Sequence, residues 1–67
     1  MTDQEKLAAY ESMRAEVESR YAALLTTLER LKAEGKTKTV TYREDLGWKQ
    51  YYRAILELYQ KYGLSQT

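Results

Sequence analysis

The chain has no cysteine, no histidine and no proline, and only three glycines in 67 residues. Each absence removes a class of structure or chemistry. Without Cys there is no disulfide and no thiolate, and without Cys or His a zinc or copper site is not expected. The usual near-neutral acid/base and the strongest nucleophile are both missing, so an enzyme is not expected either. Ser12, Ser19 and Ser65 have no plausible activating partner. The closely spaced carboxylates Glu16/Glu18 and Glu44/Asp45 point to different sides of a helix. Gly35, Gly47 and Gly63 do not form a phosphate-binding loop, and no alternating Asp/Asn run makes a calcium loop. No apolar run is long enough to span a membrane, and the polar, acidic start MTDQEK does not read as a signal peptide. The expectation is a cytoplasmic protein with no cofactor, no metal and no membrane partner.

What remains is a helix-forming composition in a very short chain. A domain of this size buries only about 60% of the surface its unfolded chain exposes, so its core is marginal. Small folds commonly add a disulfide, a metal or a second subunit. With the first two removed, close helix packing and self-association are left.

The segment TYREDLGWKQYYRAILELYQKYG carries helix signals at both ends. Thr41 and Glu44 have the spacing of a capping box, and Gly63 can take the left-handed conformation that closes a helix, with Leu64 folding back on Tyr59. Trp48, Tyr51, Tyr52, Ile55, Leu58, Tyr59 and Tyr62 recur at spacings of three and four, which predicts a wide aromatic buried face centred on Ile55. Tyr42 and Leu46 fall on the other side, in a stripe with Lys49, Arg53, Glu57 and Gln60. Either the helix breaks near Gly47 and re-aims its first turn, or Tyr42 and Leu46 are exposed. A glycine inside a helix costs about 1 kcal/mol against Ala, so its presence calls for a reason.

Upstream, Thr2 and Glu5 form another capping-box pattern, and nothing breaks a helix before Gly35. Leu7, Tyr10, Met13, Val17, Tyr21, Leu24, Leu28 and Leu31 recur close to the 3.5-residue period of a coiled-coil seam. Ala8, Ala15 and Ala22 run beside it at intervals of seven, where another helix could approach closely. The expected organisation is one all-α domain: helix 3–34, loop 35–41, helix 42–62 and a short tail 63–67. A loop this short makes the helices antiparallel neighbours. The first helix is the longer, so two to three turns carrying Leu7, Tyr10 and Met13 should overhang the second. Those residues, with Tyr51, Tyr52 and Tyr59, are candidates for self-association of the hairpin into a dimeric four-helix bundle. By shape alone, with no shared motif, this resembles the small plasmid-copy-number RNA-binding hairpins, and shape does not carry function.

The net charge of +1 argues for no partner by itself, but the halves differ. Residues 1–29 carry six acids and three bases, while residues 30–67 carry eight bases and four acids. Lys36, Lys38 and Arg43 mark a basic loop, which is most simply a solvated turn. Tyr is suited to interfaces, where its ring is buried and its hydroxyl stays wet. The expected function is therefore a homodimeric protein–protein interaction module, with Tyr42, Leu46, Lys49, Arg53, Lys36, Lys38 and Arg43 as candidate partner-binding residues. The alternative is a nucleic-acid binder, since WKQYYR combines stacking rings with phosphate-binding cations. The segment from Thr41 also resembles the second half of a helix-turn-helix with Gly47 at the turn. Against this, residues 42–46 make little more than one helical turn, and Glu44, Asp45 and Glu57 would face phosphate.

Overall fold

The computed structural model describes residues 1–63. It is an all-α hairpin of two helices, α1 (Asp3–Ala33) and α2 (Val40–Lys61), packed antiparallel in a body 48 × 22 × 16 Å. The capping box at Thr2 and Glu5 is present in both directions: the Glu5 N–H donates to Thr2 Oγ1 at 3.1 Å and the Thr2 N–H donates to Glu5 Oε1 at 3.1 Å. The backbone N–H of Thr2, then its hydroxyl, holds the Glu5 carboxyl below its ordinary value of 4.5. The part of the cap that depends on the ionised Glu5 carboxylate is therefore lost as pH falls through that lowered value, while the bond to the Thr2 hydroxyl is not.

Gly35 closes α1 as expected. Its φ is +74°, the Lys36 N–H reaches the Leu31 carbonyl at 2.8 Å, and the Gly35 N–H reaches that of Lys32 at 3.1 Å. This pair of bonds is the Schellman arrangement, which satisfies the last carbonyls of the helix. Gly63 takes a similar φ of +69° at the end of α2. The expected contact of Leu64 with Tyr59 lies outside the described residues.

The start of α2 differs from the expected one. Thr39, not Thr41, is the N-cap, and the helix begins at Val40, so the capping box of Thr41 with Glu44 does not form. The Thr39 hydroxyl donates to the Lys36 carbonyl at 2.9 Å and accepts the Tyr42 N–H at 3.2 Å. One side chain thus ties the end of the α1 turn to the first turn of α2. Starting at Val40 also adds helical hydrogen bonds that a start at Tyr42 would forgo. The helix runs unbroken through Gly47, so neither the break nor the turn considered there occurs.

Val17, Leu28 and Leu31 of α1 and Tyr59 of α2 form the buried core, and none of the described side chains is fully enclosed. Tyr10, Tyr21 and Leu24 of α1 and Tyr42, Leu46, Tyr52, Ile55 and Leu56 of α2 are half-buried along the same contact. The α1 seam is therefore used as its period predicts from Tyr10 onward with the exception of Met13, which stays exposed like Leu7. Tyr10 is not in the overhang, because the interhelical register sets its ring edge-to-face against Tyr59 at 5.6 Å. Only the turns before Tyr10 extend free.

The cap geometry yields a direct test. Thr39→Ala should destabilise the hairpin by about 1 kcal/mol in a urea titration followed by circular dichroism, whereas Thr41→Ala should be neutral or slightly stabilising. The opposite order would restore the later helix start.

Candidate interaction surface

A helix packed on a single neighbour hides one side. In α2 that side is centred near Asp45, Tyr52 and Leu56, about one residue's rotation away from the expected centre at Ile55. Tyr42 and Leu46, placed outside by the sequence pattern, turn in toward α1. Trp48 and Tyr62, assigned to the aromatic interior of the hairpin or its dimer, turn out of the hairpin. The two sets exchange because α2 is apolar over far more than half its circumference and α1 is wide enough to cover only part of it.

The consequence is an aromatic surface. Trp48 is 53% exposed, Tyr51 57%, Leu58 54% and Tyr62 68%. The Trp48 ring stacks on Tyr52 at 6.0 Å and meets Tyr51 edge-on at 5.7 Å, while Tyr51 meets Tyr52 at 5.5 Å. Tyr52 is half-buried, so it anchors this cluster to the interhelical seam. Further along, Lys61 places its ammonium over the Tyr62 ring at 5.7 Å. On the flank toward α1, Trp48 and Tyr52 line a groove with Asp45, Arg20, Leu24 and Thr27. Met13, 51% exposed, precedes Arg20 and Thr27 at intervals of seven and so lies on the same flank.

The opposite flank carries the other candidates. Tyr42, Leu46 and Lys49 are half-buried and line a groove with Ala22, Leu25, Glu29 and Lys32 of α1. Arg53 is exposed and pairs with Glu57 at 3.2 Å. Lys36 pairs with Glu34 at 3.8 Å, and Arg30 reaches the same carboxylate at 3.3 Å. Lys38 and Arg43 are exposed. The structure thus gathers Tyr42, Leu46 and Lys49 in one groove, and leaves Lys36, Lys38 and Arg43 around the loop. Glu16 and Arg20 pair at 3.7 Å on the exposed side of α1. Such exposed pairs contribute little, typically below about 1 kcal/mol.

At the open end, Tyr10 and Tyr59 pack against each other, and the Tyr10 hydroxyl is shut off from solvent without a hydrogen-bond partner among the described residues. Burial raises the Tyr59 hydroxyl above its ordinary value of 10.0; the neighbouring Tyr10 adds to this and Arg14 opposes it. No helix among the described residues is long and apolar enough to cross a membrane. The chain matches no family model, no curated protein and no solved structure.

Tyr59 gives the fold a defined alkaline limit. The folded chain holds this phenol proton more tightly than the unfolded chain does. Its contribution is therefore complete below about pH 10, the ordinary value, and is lost as pH rises through the raised one. Thermal melts from pH 8 to 12 should show a midpoint falling above that point, and Tyr59→Phe should flatten the fall. An unchanged slope in that variant would assign the alkaline loss to other tyrosines.

Proposed function

We propose that the chain is a small protein–protein interaction module that works as a homodimer. The observation that supports this reading is the exposed aromatic side of α2: Trp48, Tyr51, Leu58 and Tyr62 stand more than half exposed on a helix whose other side is already packed. Tyr and Trp are the residues most enriched among interface hot spots, and scattered single apolar residues are normal on surfaces whereas a continuous row is not. A core of four buried residues among those described supplies a second support, since burying this side in a like surface adds apolar burial to that small core.

Sedimentation equilibrium across a range of concentrations should find a dimer. Trp48→Ala should weaken it by about 30-fold, or about 2 kcal/mol, while leaving the far-ultraviolet circular dichroism spectrum unchanged. A wild-type chain that stays monomeric at all concentrations would refute the homodimer.

The exposed Lys36, Lys38 and Arg43 beside a helix bearing Trp48 and Tyr51 support a second reading, a nucleic-acid binder. On that reading, fluorescence anisotropy with mixed-sequence DNA and RNA should show binding that weakens steeply with salt. No binding to either at low salt would dispose of it.

A further inference from the structure

We propose that two copies of the chain pack their α2 helices antiparallel about a two-fold axis at Ile55, so that the basic loop end of each hairpin lies beside the acidic open end of the other. This rests on the reading of α2 as a self-association surface and adds its direction and its centre.

The area fits a second copy. A compact monomer of 7.9 kDa exposes about 4,400 Å² by the usual size scaling. This chain exposes 5410 Å², an excess of about 1,000 Å². Each partner in an interface of standard size buries about 800 Å². That surplus is spread over a hairpin 48 Å long rather than over one face, and it leaves room for an interface of that size.

The spacing fixes the centre. Trp48, Tyr51, Ile55, Leu58 and Tyr62 follow one another at three, four, three and four residues, the repeat of a coiled-coil seam. Trp48 and Tyr62 each lie seven residues from Ile55. An antiparallel pair centred there sets Trp48 of each copy against Tyr62 of the other, and Tyr51 of each near Leu58 of the other. Every layer then has a bulky residue on both sides, with Ile55 meeting its own copy on the axis. A two-fold interface needs this kind of self-complementary patch.

Charge fixes the direction. Residues 30–45 carry Arg30, Lys32, Lys36, Lys38 and Arg43 against Glu34, Glu44 and Asp45, a net +2, whereas residues 3–11 carry Asp3, Glu5 and Glu11 against Lys6, a net −2. A parallel pair would set two basic loops side by side. An antiparallel pair sets each loop beside an acidic end, which is favourable at distances within the screening length.

Gly47 agrees with a helix on this side. A Cβ there would meet nothing within 4 Å, so no contact inside the hairpin requires glycine, although glycine weakens a helix. Gly47 and Ala54, seven apart, run alongside the seam, where small residues admit a close second helix.

The chain has no cysteine, so single cysteines report the pairing without interference. Under mild oxidation Ile55→Cys should form a disulfide-linked dimer several-fold more efficiently than Tyr62→Cys. On the antiparallel axis the two copies of residue 62 are about 21 Å apart along the helices, far beyond the roughly 6 Å between Cα atoms that a disulfide tolerates. The wild-type chain gives an independent reading. Its dimer dissociation constant should rise several-fold between 50 and 500 mM NaCl as the end-to-end attraction is screened (about 14 to about 4 Å Debye length). A dimer whose Tyr62→Cys variant cross-links as well as Ile55→Cys, or that tightens with salt, would overturn the direction while leaving self-association intact. A wild-type monomer would overturn both.

Discussion

A pair of helices has one line of contact, and the structure follows from that restriction. Along the line, Val17, Leu28 and Leu31 meet α2, and Tyr59 closes the open end against Tyr10. Every other apolar side chain must lie on a flank or face away. In a larger bundle α2 would find a second and third neighbour. Here its width exceeds what α1 can cover, so the residues one step around the helix from the seam are left outside. The exposed row of Trp48, Tyr51, Leu58 and Tyr62 is therefore what one line of contact leaves uncovered.

The elements were legible in the sequence because their signals are local. The capping box at Thr2 and Glu5, the uninterrupted helix formers up to Glu34 and the left-handed Gly35 act through bonds spanning a few residues. The start of α2 was less legible because two threonines compete for the cap. Thr41 has the better sequence pattern, with Glu44 three residues on. Thr39 has the better position, since its hydroxyl reaches both the Lys36 carbonyl and the Tyr42 N–H. Which of the two wins depends on where the Schellman turn leaves the chain, and that is set by α1 rather than by α2.

The buried side of α2 was legible only as a conflict. Periodicity identifies apolar faces, and α2 has two that merge: one through Tyr42, Leu46, Tyr52, Leu56 and Tyr59, the other through Trp48, Tyr51, Ile55, Leu58 and Tyr62. Counting rings favours the second. The structure buries the first: Tyr59 is buried, Tyr42, Leu46, Tyr52 and Leu56 are half-buried, and of the second only Ile55 is half-buried. The apparent misfit of Tyr42 and Leu46 was the trace of this second face. The basic loop was legible as composition, but its ion pairs were not: Lys36 and Arg30 share the single Glu34 carboxylate because the end of α1 brings all three together, which leaves one net positive charge.

The way the outer rings are held bears on what the surface can do. Trp48, Tyr51 and Tyr52 brace one another at 5.5 to 6.0 Å, and Tyr52 is fixed in turn by the seam. Aromatic side chains have two torsions each, so rings already in mutual contact lose little freedom when a partner arrives. Flexible residues at the same positions would have to be ordered on binding, at about 0.5–1.5 kcal/mol each. A hairpin whose own core holds four buried residues has little stability to spare for such ordering. Pre-arranged rings ease that tension: the seam that folds the hairpin also positions the surface, so a dimer formed through α2 would draw on the same contacts and stabilise the seam by mass action.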